Sequence, residues 1–132
     1  MTLYVDTSAL AKLVVSEQET AALRGWLGER PGQPLVTCTI GVVELQRLAA
    51  RISSAAVSIA VLLLGRVGQL QLTTSALGLA AQLPPPEVRT LDALHIAAAA
   101  GLSDLEALVS YDRRMIAAAD AYGLPTASPA EQ

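Results

Sequence analysis

A chain of 132 residues, 52% of them hydrophobic, has material for one domain with a sizeable core. Its only cysteine, Cys38, excludes an intrachain disulfide and a thiolate zinc cluster, and the net charge of −3 argues against broad non-specific binding to nucleic acid while leaving room for a local basic patch. The N-terminus lacks a signal pattern and the apolar run Ile59 to Leu64 is far below the ~20 residues of a membrane span, so a soluble, cytoplasmic protein with no membrane partner is expected.

Leu3 to Val5 reads as a buried first strand delivering Asp6, Thr7 and Ser8 to its carboxyl end. A short helix follows over Ser8 to Val15, with Lys12 either reaching back toward the strand end or solvated. Ser16-Glu17-Gln18-Glu19 has the form of a capping box and predicts a helix from Glu17 to about Gly28. Pro31, Gly32 and Pro34 mark a loop, and Leu35 to Ile40 supplies a short second strand ending near Thr37 or Thr39. Val42, Val43, Leu45, Leu48, Ala49 and Ile52 recur at helical spacing over Ile40 to Ile52, with Glu44 beside the stripe.

Ser54 to Leu64 predicts a helix apolar almost all round, which implies burial between neighbours or a dimer or partner surface. A short strand around Leu70 and Leu72 precedes a helix over Ser75 to Leu83, capped by Thr73 or Thr74 and stopped by Pro84-Pro85-Pro86. Thr90 is a candidate N-cap for a helix over Leu91 to Gly101. Leu105 to Val109 reads as a fourth strand, followed by Ser110-Tyr111-Asp112 and a last helix from Arg113 to Tyr122. Thr126 to Gln132 reads as a frayed polar tail. The alternation predicts an α/β domain spanning residues 1–132, a central parallel sheet flanked by helices.

Four acids stand apart by context. Asp6 and Asp112 follow strands, and Glu44 and Asp92 lie in largely apolar helices, where a carboxylate is costly to bury without a compensating group. Taken singly, each acid reads more readily as a cap or a surface group than as part of a site. Taken together, they can converge on one side of the sheet. Clustered carboxylates repel unless a cation is present, and hard oxygen donors suit Mg²⁺ or Mn²⁺. Such an ion orients a water, lowers its pKa and stabilises charge growing on a phosphate, which points to phosphodiester hydrolysis. Thr7 and Ser8 either hydrogen-bond this site or cap the helix. Arg89, Arg113 and Arg114 flank the late acids and can hold an RNA backbone, or they form a charged solvated face. His95, three residues after Asp92, reads as a satisfied, partly buried histidine or as a phosphate contact. No glycine-rich phosphate loop and no nucleophile elbow is present in the sequence.

Four segments in this order carry a resemblance: Tyr4-Val5-Asp6-Thr7-Ser8-Ala9, Val43-Glu44-Leu45, Leu91-Asp92-Ala93-Leu94-His95-Ile96-Ala97-Ala98-Ala99, and Val109-Ser110-Tyr111-Asp112-Arg113-Arg114-Met115. The chain resembles the PIN-domain family, specifically the VapC-type toxins of bacterial type II toxin–antitoxin systems. The resemblance implies a parallel sheet flanked by helices and an acidic site of Asp6, Glu44, Asp92 and Asp112 for a divalent metal, supported by a hydroxyl at Thr7 or Ser8. It further implies a Mg²⁺-dependent endoribonuclease acting on structured RNA such as tRNA or rRNA, a cognate antitoxin and a homodimer, with the helix around Ser54 to Leu64 as the contact region. The competing reading is an RNA- or protein-binding module whose acidic pocket is not catalytic. A haloacid-dehalogenase-type phosphatase lacks its second aspartate here, since Ser8 stands two residues after Asp6.

Overall fold

The first strand is buried at every position, as a central parallel strand must be, and its neighbours follow from that. The computed structural model describes residues 1–131. The elements run β1 (Thr2–Val5), α1 (Thr7–Val14), α2 (Thr20–Gly28), β2 (Leu35–Cys38), α3 (Thr39–Ile52), α4 (Ser54–Leu64), β3 (Gly68–Leu70), α5 (Thr74–Gln82), α6 (Thr90–Ala100), β4 (Leu105–Val109), α7 (Arg113–Tyr122) and β5 (Thr126–Ala127). The strands form one sheet in the order β3-β2-β1-β4-β5, and every pairing is parallel. This is the expected α/β architecture of a parallel sheet with helices on its faces.

Successive side chains of each strand enter opposite cores. Tyr4 and Leu108 join Cys38, Ile96, Met115 and Ala119 on one face, while Val5 and Val109 join Leu10, Leu23, Leu45 and Ala60 on the other. Leu10, Leu45, Ile96 and Leu108 are fully buried, each contributing about 1.5–3 kcal/mol of transfer free energy. The chain leaves β1 for β2 and β3 on one side, then crosses to β4 and β5 on the other. The crevice beyond the carboxyl ends of β1 and β4 is therefore the topological switch point, where open α/β sheets bind ligands.

Three boundaries differ from expectation. The helix expected from Glu17 begins at Thr20, with no side-chain cap at Glu19. Thr20 Oγ1 accepts from the Glu17 N–H at 2.9 Å and donates to the Lys12 carbonyl at 2.8 Å, so this hydroxyl, not Ser16, organises the turn. Thr90 is the first residue of α6 rather than its cap, and β3 lies at Gly68–Leu70, upstream of Leu72. The expected frayed tail instead supplies β5. Thr126 and Ala127 pair with Leu108 and Val109, and Ser128 and Pro129 accept or donate hydrogen bonds to Ser110 and Tyr111. Gln132 of that tail lies outside the described residues.

Helix α4 buries only the narrow stripe Ala56, Ala60 and Leu64. Ile59, Val61 and Leu62 remain exposed, Leu62 at 73%. Its all-round apolar character thus reflects an open surface rather than burial within the chain. Among the described residues no helix is long and apolar enough to cross a membrane.

Candidate active site

Asp6 sits one residue beyond β1, is 2% exposed, and is the N-cap of α1. Its Oδ1 accepts from Ser8 Oγ at 2.6 Å and from the Ala9 N–H at 3.1 Å; its Oδ2 accepts from Ser110 Oγ at 2.5 Å. The capping role that the sequence offered for Asp6 is therefore realised, at a position just beyond the carboxyl end of β1. Burial raises the Asp6 pKa, and the three hydrogen bonds offset only part of that rise.

Ser110 is the residue sequence reasoning passed over. It stands beyond β4 as Asp6 stands beyond β1, and it is fully buried. Besides holding Asp6, its hydroxyl accepts from the Asp112 N–H at 3.1 Å, while Ser8 Oγ accepts from the Tyr111 N–H at 2.8 Å. The two strand ends are thereby tied together through two serines. The available signal was a hydroxyl at the end of the strand paired with β1.

The late acids meet at one cation. Arg89 Nε donates to Asp92 Oδ2 at 2.8 Å, and its Nη2 donates to Asp112 Oδ2 at 2.7 Å. Asp112 also caps α7, with Oδ1 accepting from the N–H groups of Arg114 and Met115 at 2.9 and 3.3 Å. Partial burial pushes the Asp112 carboxyl up, but these backbone bonds and Arg89 outweigh it and leave the pKa lowered. Asp92, in the first turn of α6, is 6% exposed.

Glu44 projects from α3. Its Oε1 accepts from Thr7 Oγ1 at 2.8 Å and pairs with His95 Nε2 at 2.7 Å. Burial raises its pKa, yet the His95 and Thr7 bonds lower it by more. His95 is 2% exposed, so the satisfied-histidine reading describes it. Its Nδ1 lies 2.8 Å from Tyr4 Oη, which also accepts from the Cys38 N–H at 3.2 Å. Burial disfavours the imidazolium, but Cys38 and Glu44 together raise the His95 pKa; burial likewise opposes ionisation of Cys38, whose contact with His95 lowers its thiol pKa.

These links join three of the acids, Asp6 to Asp112 through Ser110 and Asp112 to Asp92 through Arg89, while Glu44 is bonded to Thr7, the residue after Asp6. Among the described residues, however, no three His, Cys, Asp or Glu side chains converge as a ready-made metal-ligand group. Arg89 stands between Asp92 and Asp112, and the hydroxyls of Ser8, Ser110 and Thr7 engage the other acids. Arg113 and Arg114 are exposed at the start of α7. Arg114 borders a groove of about 400 Å³ shared with Arg89, Asp92, Val88 and Ala118. Lys12 is not solvated: it is buried, paired with Glu17 and Glu19 at 3.2 and 2.8 Å, and lies 4.7 Å over the ring of Tyr111, two residues beyond β4.

The PIN domain family model matches residues 3–121. Ribonuclease VapC47 of Mycobacterium tuberculosis is 44% identical over 131 residues, covering 96% of this chain and 96% of that protein. Ribonuclease VapC35 of the same species is 34% identical, covering 98% of each. Among solved structures, that of Mycobacterium tuberculosis VapC20, a sarcin–ricin-loop-cleaving toxin, covers 97% of this chain and 100% of that one at a TM-score of 0.70 and 20% identity. The structure of VapBC2 from Rickettsia felis, bound to a promoter DNA fragment, covers 96% and 98% at a TM-score of 0.74 and 12% identity. At these identities the two structures establish likeness of fold.

Proposed function

We propose, from the premise that the chain belongs to the PIN-domain family of VapC-type ribonuclease toxins, that it is a Mg²⁺-dependent endoribonuclease hydrolysing structured RNA, tRNA or rRNA. The observation that supports this reading is Asp6, buried beyond the carboxyl end of β1 at the switch point of the sheet and held by two serine hydroxyls, with Asp112 and Asp92 linked to it through Ser110 and Arg89. The donor set fits Mg²⁺, with Mn²⁺ as a substitute: its members are carboxylate oxygens, and Arg89 already places a cationic group between Asp92 and Asp112. Asp6, Glu44, Asp92 and Asp112 would hold the ion. When bound, Mg²⁺ supplies charge neutralisation and activation of water for attack on phosphorus.

The chain's own residues do the rest. Ser8 and Ser110 keep the buried Asp6 carboxylate oriented, and Thr7 does the same for Glu44. Arg89, released from its acids, and the exposed Arg113 and Arg114 bind the RNA backbone by charge-assisted bonds. Water attack without use of the ribose 2′-hydroxyl leaves a 5′-phosphate and a 3′-hydroxyl. VapC20, described as cleaving the sarcin–ricin loop, supports a structured RNA as substrate. A cognate antitoxin and a second copy of the chain are the protein partners, both using the open apolar face of α4 around Leu62. The working compartment is the cytoplasm, where the buried Cys38 stays reduced.

A second reading, a binding module with a non-catalytic acidic pocket, draws on the Arg89 bridge and the dispersed acids. The test is incubation of a small-RNA pool with partner-free protein in Mg²⁺ and in EDTA, alongside Asp6→Asn. Discrete Mg²⁺-dependent products that vanish in the folded variant are expected. Retained cleavage by Asp6→Asn would remove Asp6 from the mechanism, and metal binding without turnover would favour the binding module.

A further inference from the structure

His95 is the chain's only histidine, and the nuclease reading leaves it without a task. It cannot reach a substrate, because it is 2% exposed. Its surroundings are nevertheless specific. Nε2 lies 2.7 Å from Glu44 Oε1, and Nδ1 lies 2.8 Å from the hydroxyl of Tyr4, a residue with no exposed surface. The Tyr4 ring meets the imidazole edge-on at 77° with centroids 5.9 Å apart. Nε2–H donates to Glu44 in the imidazolium and in the Nε2–H neutral tautomer alike. The Tyr4 hydroxyl can serve either form, accepting from Nδ1–H or donating to bare Nδ1.

Two further features belong to this arrangement. Thr7 and His95 both engage Oε1 of Glu44, and Oε2 has no hydrogen-bond partner among the described residues. One oxygen is an anchor and the other is free. Helix α3 carries a glycine one turn before Glu44, and the imidazole packs close beside it. A Cβ at Gly41 would run into Thr37 Oγ1 and come within 3.2 Å of His95 Cε1. Glu44 is otherwise a side chain with three rotatable bonds on a helix surface, and its orientation has to be supplied from outside.

We propose that His95, backed by Tyr4 and admitted by Gly41, is a positioning residue that fixes Glu44 through Oε1 so that Oε2 is presented to the divalent cation. The proposal rests on the metal-dependent nuclease reading and extends it from the acids to the group behind one of them. Removing a hydrogen-bond partner of a ligating side chain characteristically weakens metal binding by about 10–100-fold.

The test measures Mn²⁺ affinity by electron paramagnetic resonance of the free ion, for wild type, His95→Gln, His95→Leu and Tyr4→Phe, with circular dichroism to verify folding. Glutamine keeps an N–H donor within reach of Glu44, whereas leucine fills the space without one. The expected result is a loss of about 10–100-fold in His95→Leu, a smaller loss in Tyr4→Phe, and substantial recovery in His95→Gln. A packing role predicts the reverse order, since leucine suits a buried site better than an amide, and that order in folded proteins overturns the proposal. Unchanged affinity in folded His95→Leu also overturns it. Should His95→Leu fail to fold, Tyr4→Phe, which deletes one hydroxyl, decides alone by the same criterion. A second readout is the Nε2–H resonance of the only histidine. It should be protected from exchange and should move in Glu44→Gln; absence of both effects refutes the hydrogen bond. Failure of the nuclease reading looks different, because wild type itself then binds no Mn²⁺ while the histidine resonance still reports the Glu44 bond.

Discussion

Replacing Ser110 with alanine removes one oxygen from a fully buried position, with little change of volume. It deletes the 2.5 Å donor to Asp6 Oδ2 and the 3.1 Å acceptor of the Asp112 N–H. A hydrogen bond to a charged group is worth about 1.5–3 kcal/mol and a neutral one about 0.5–1.5 kcal/mol, so the cost depends on whether Asp6 is ionised. Burial already raises the Asp6 pKa above its unfolded value, so this group's contribution is most favourable below the unfolded pKa and is lost as pH rises through the folded pKa. Ser110 favours the carboxylate, and without it the folded pKa rises further and the loss grows. Ser110→Ala should therefore cost about 1 kcal/mol where folded Asp6 is protonated and about 2–3 kcal/mol where it is ionised, so the deficit should grow as pH rises through the folded pKa. Urea unfolding followed by circular dichroism across a pH series measures it. A deficit that stays constant across the series, or one that never exceeds about 0.5 kcal/mol, would refute the reasoning.

Two other substitutions probe the neighbouring parts of the site. Gly41→Ala places a Cβ against Thr37 Oγ1 and His95 Cε1; overpacking of about 1–3 kcal/mol should exceed the helix-propensity gain of about 1 kcal/mol, and a thermally stabilised variant would contradict the close approach. Arg89→Ala removes the cation shared by Asp92 and Asp112, so calorimetry should find tighter Mn²⁺ binding while filter binding finds weaker RNA retention. Weaker Mn²⁺ binding would mean that Arg89 supports the acids rather than competing with the ion.

The parallel core was legible because its strands are continuous apolar runs, and Asp6 and Asp112 were legible as strand-end acids because each follows such a run. Local pattern misled where tertiary contacts decided. Ser16-Glu17-Gln18-Glu19 has the spacing of a capping box, but Lys12 draws Glu17 and Glu19 onto itself and Thr20 takes the Glu17 N–H. Thr126 and Ala127 carry almost no strand signal, and they pair only because β4 offers an open edge. Ser110 and Arg89 acquire their roles from residues 104 and 23 positions away, separations that no helical or strand period connects. Gly41 looks unremarkable in sequence, and its use becomes visible only with the His95 ring against it.

If acids rather than a ribose hydroxyl organise the cleavage, the product ends record it. RNA cut in Mg²⁺ should yield fragments whose 5′ ends accept ligation without prior phosphorylation and whose 3′ ends are free hydroxyls. Fragments ending in 2′,3′-cyclic phosphate, formed equally well in EDTA, would rule out metal-dependent hydrolysis at these acids.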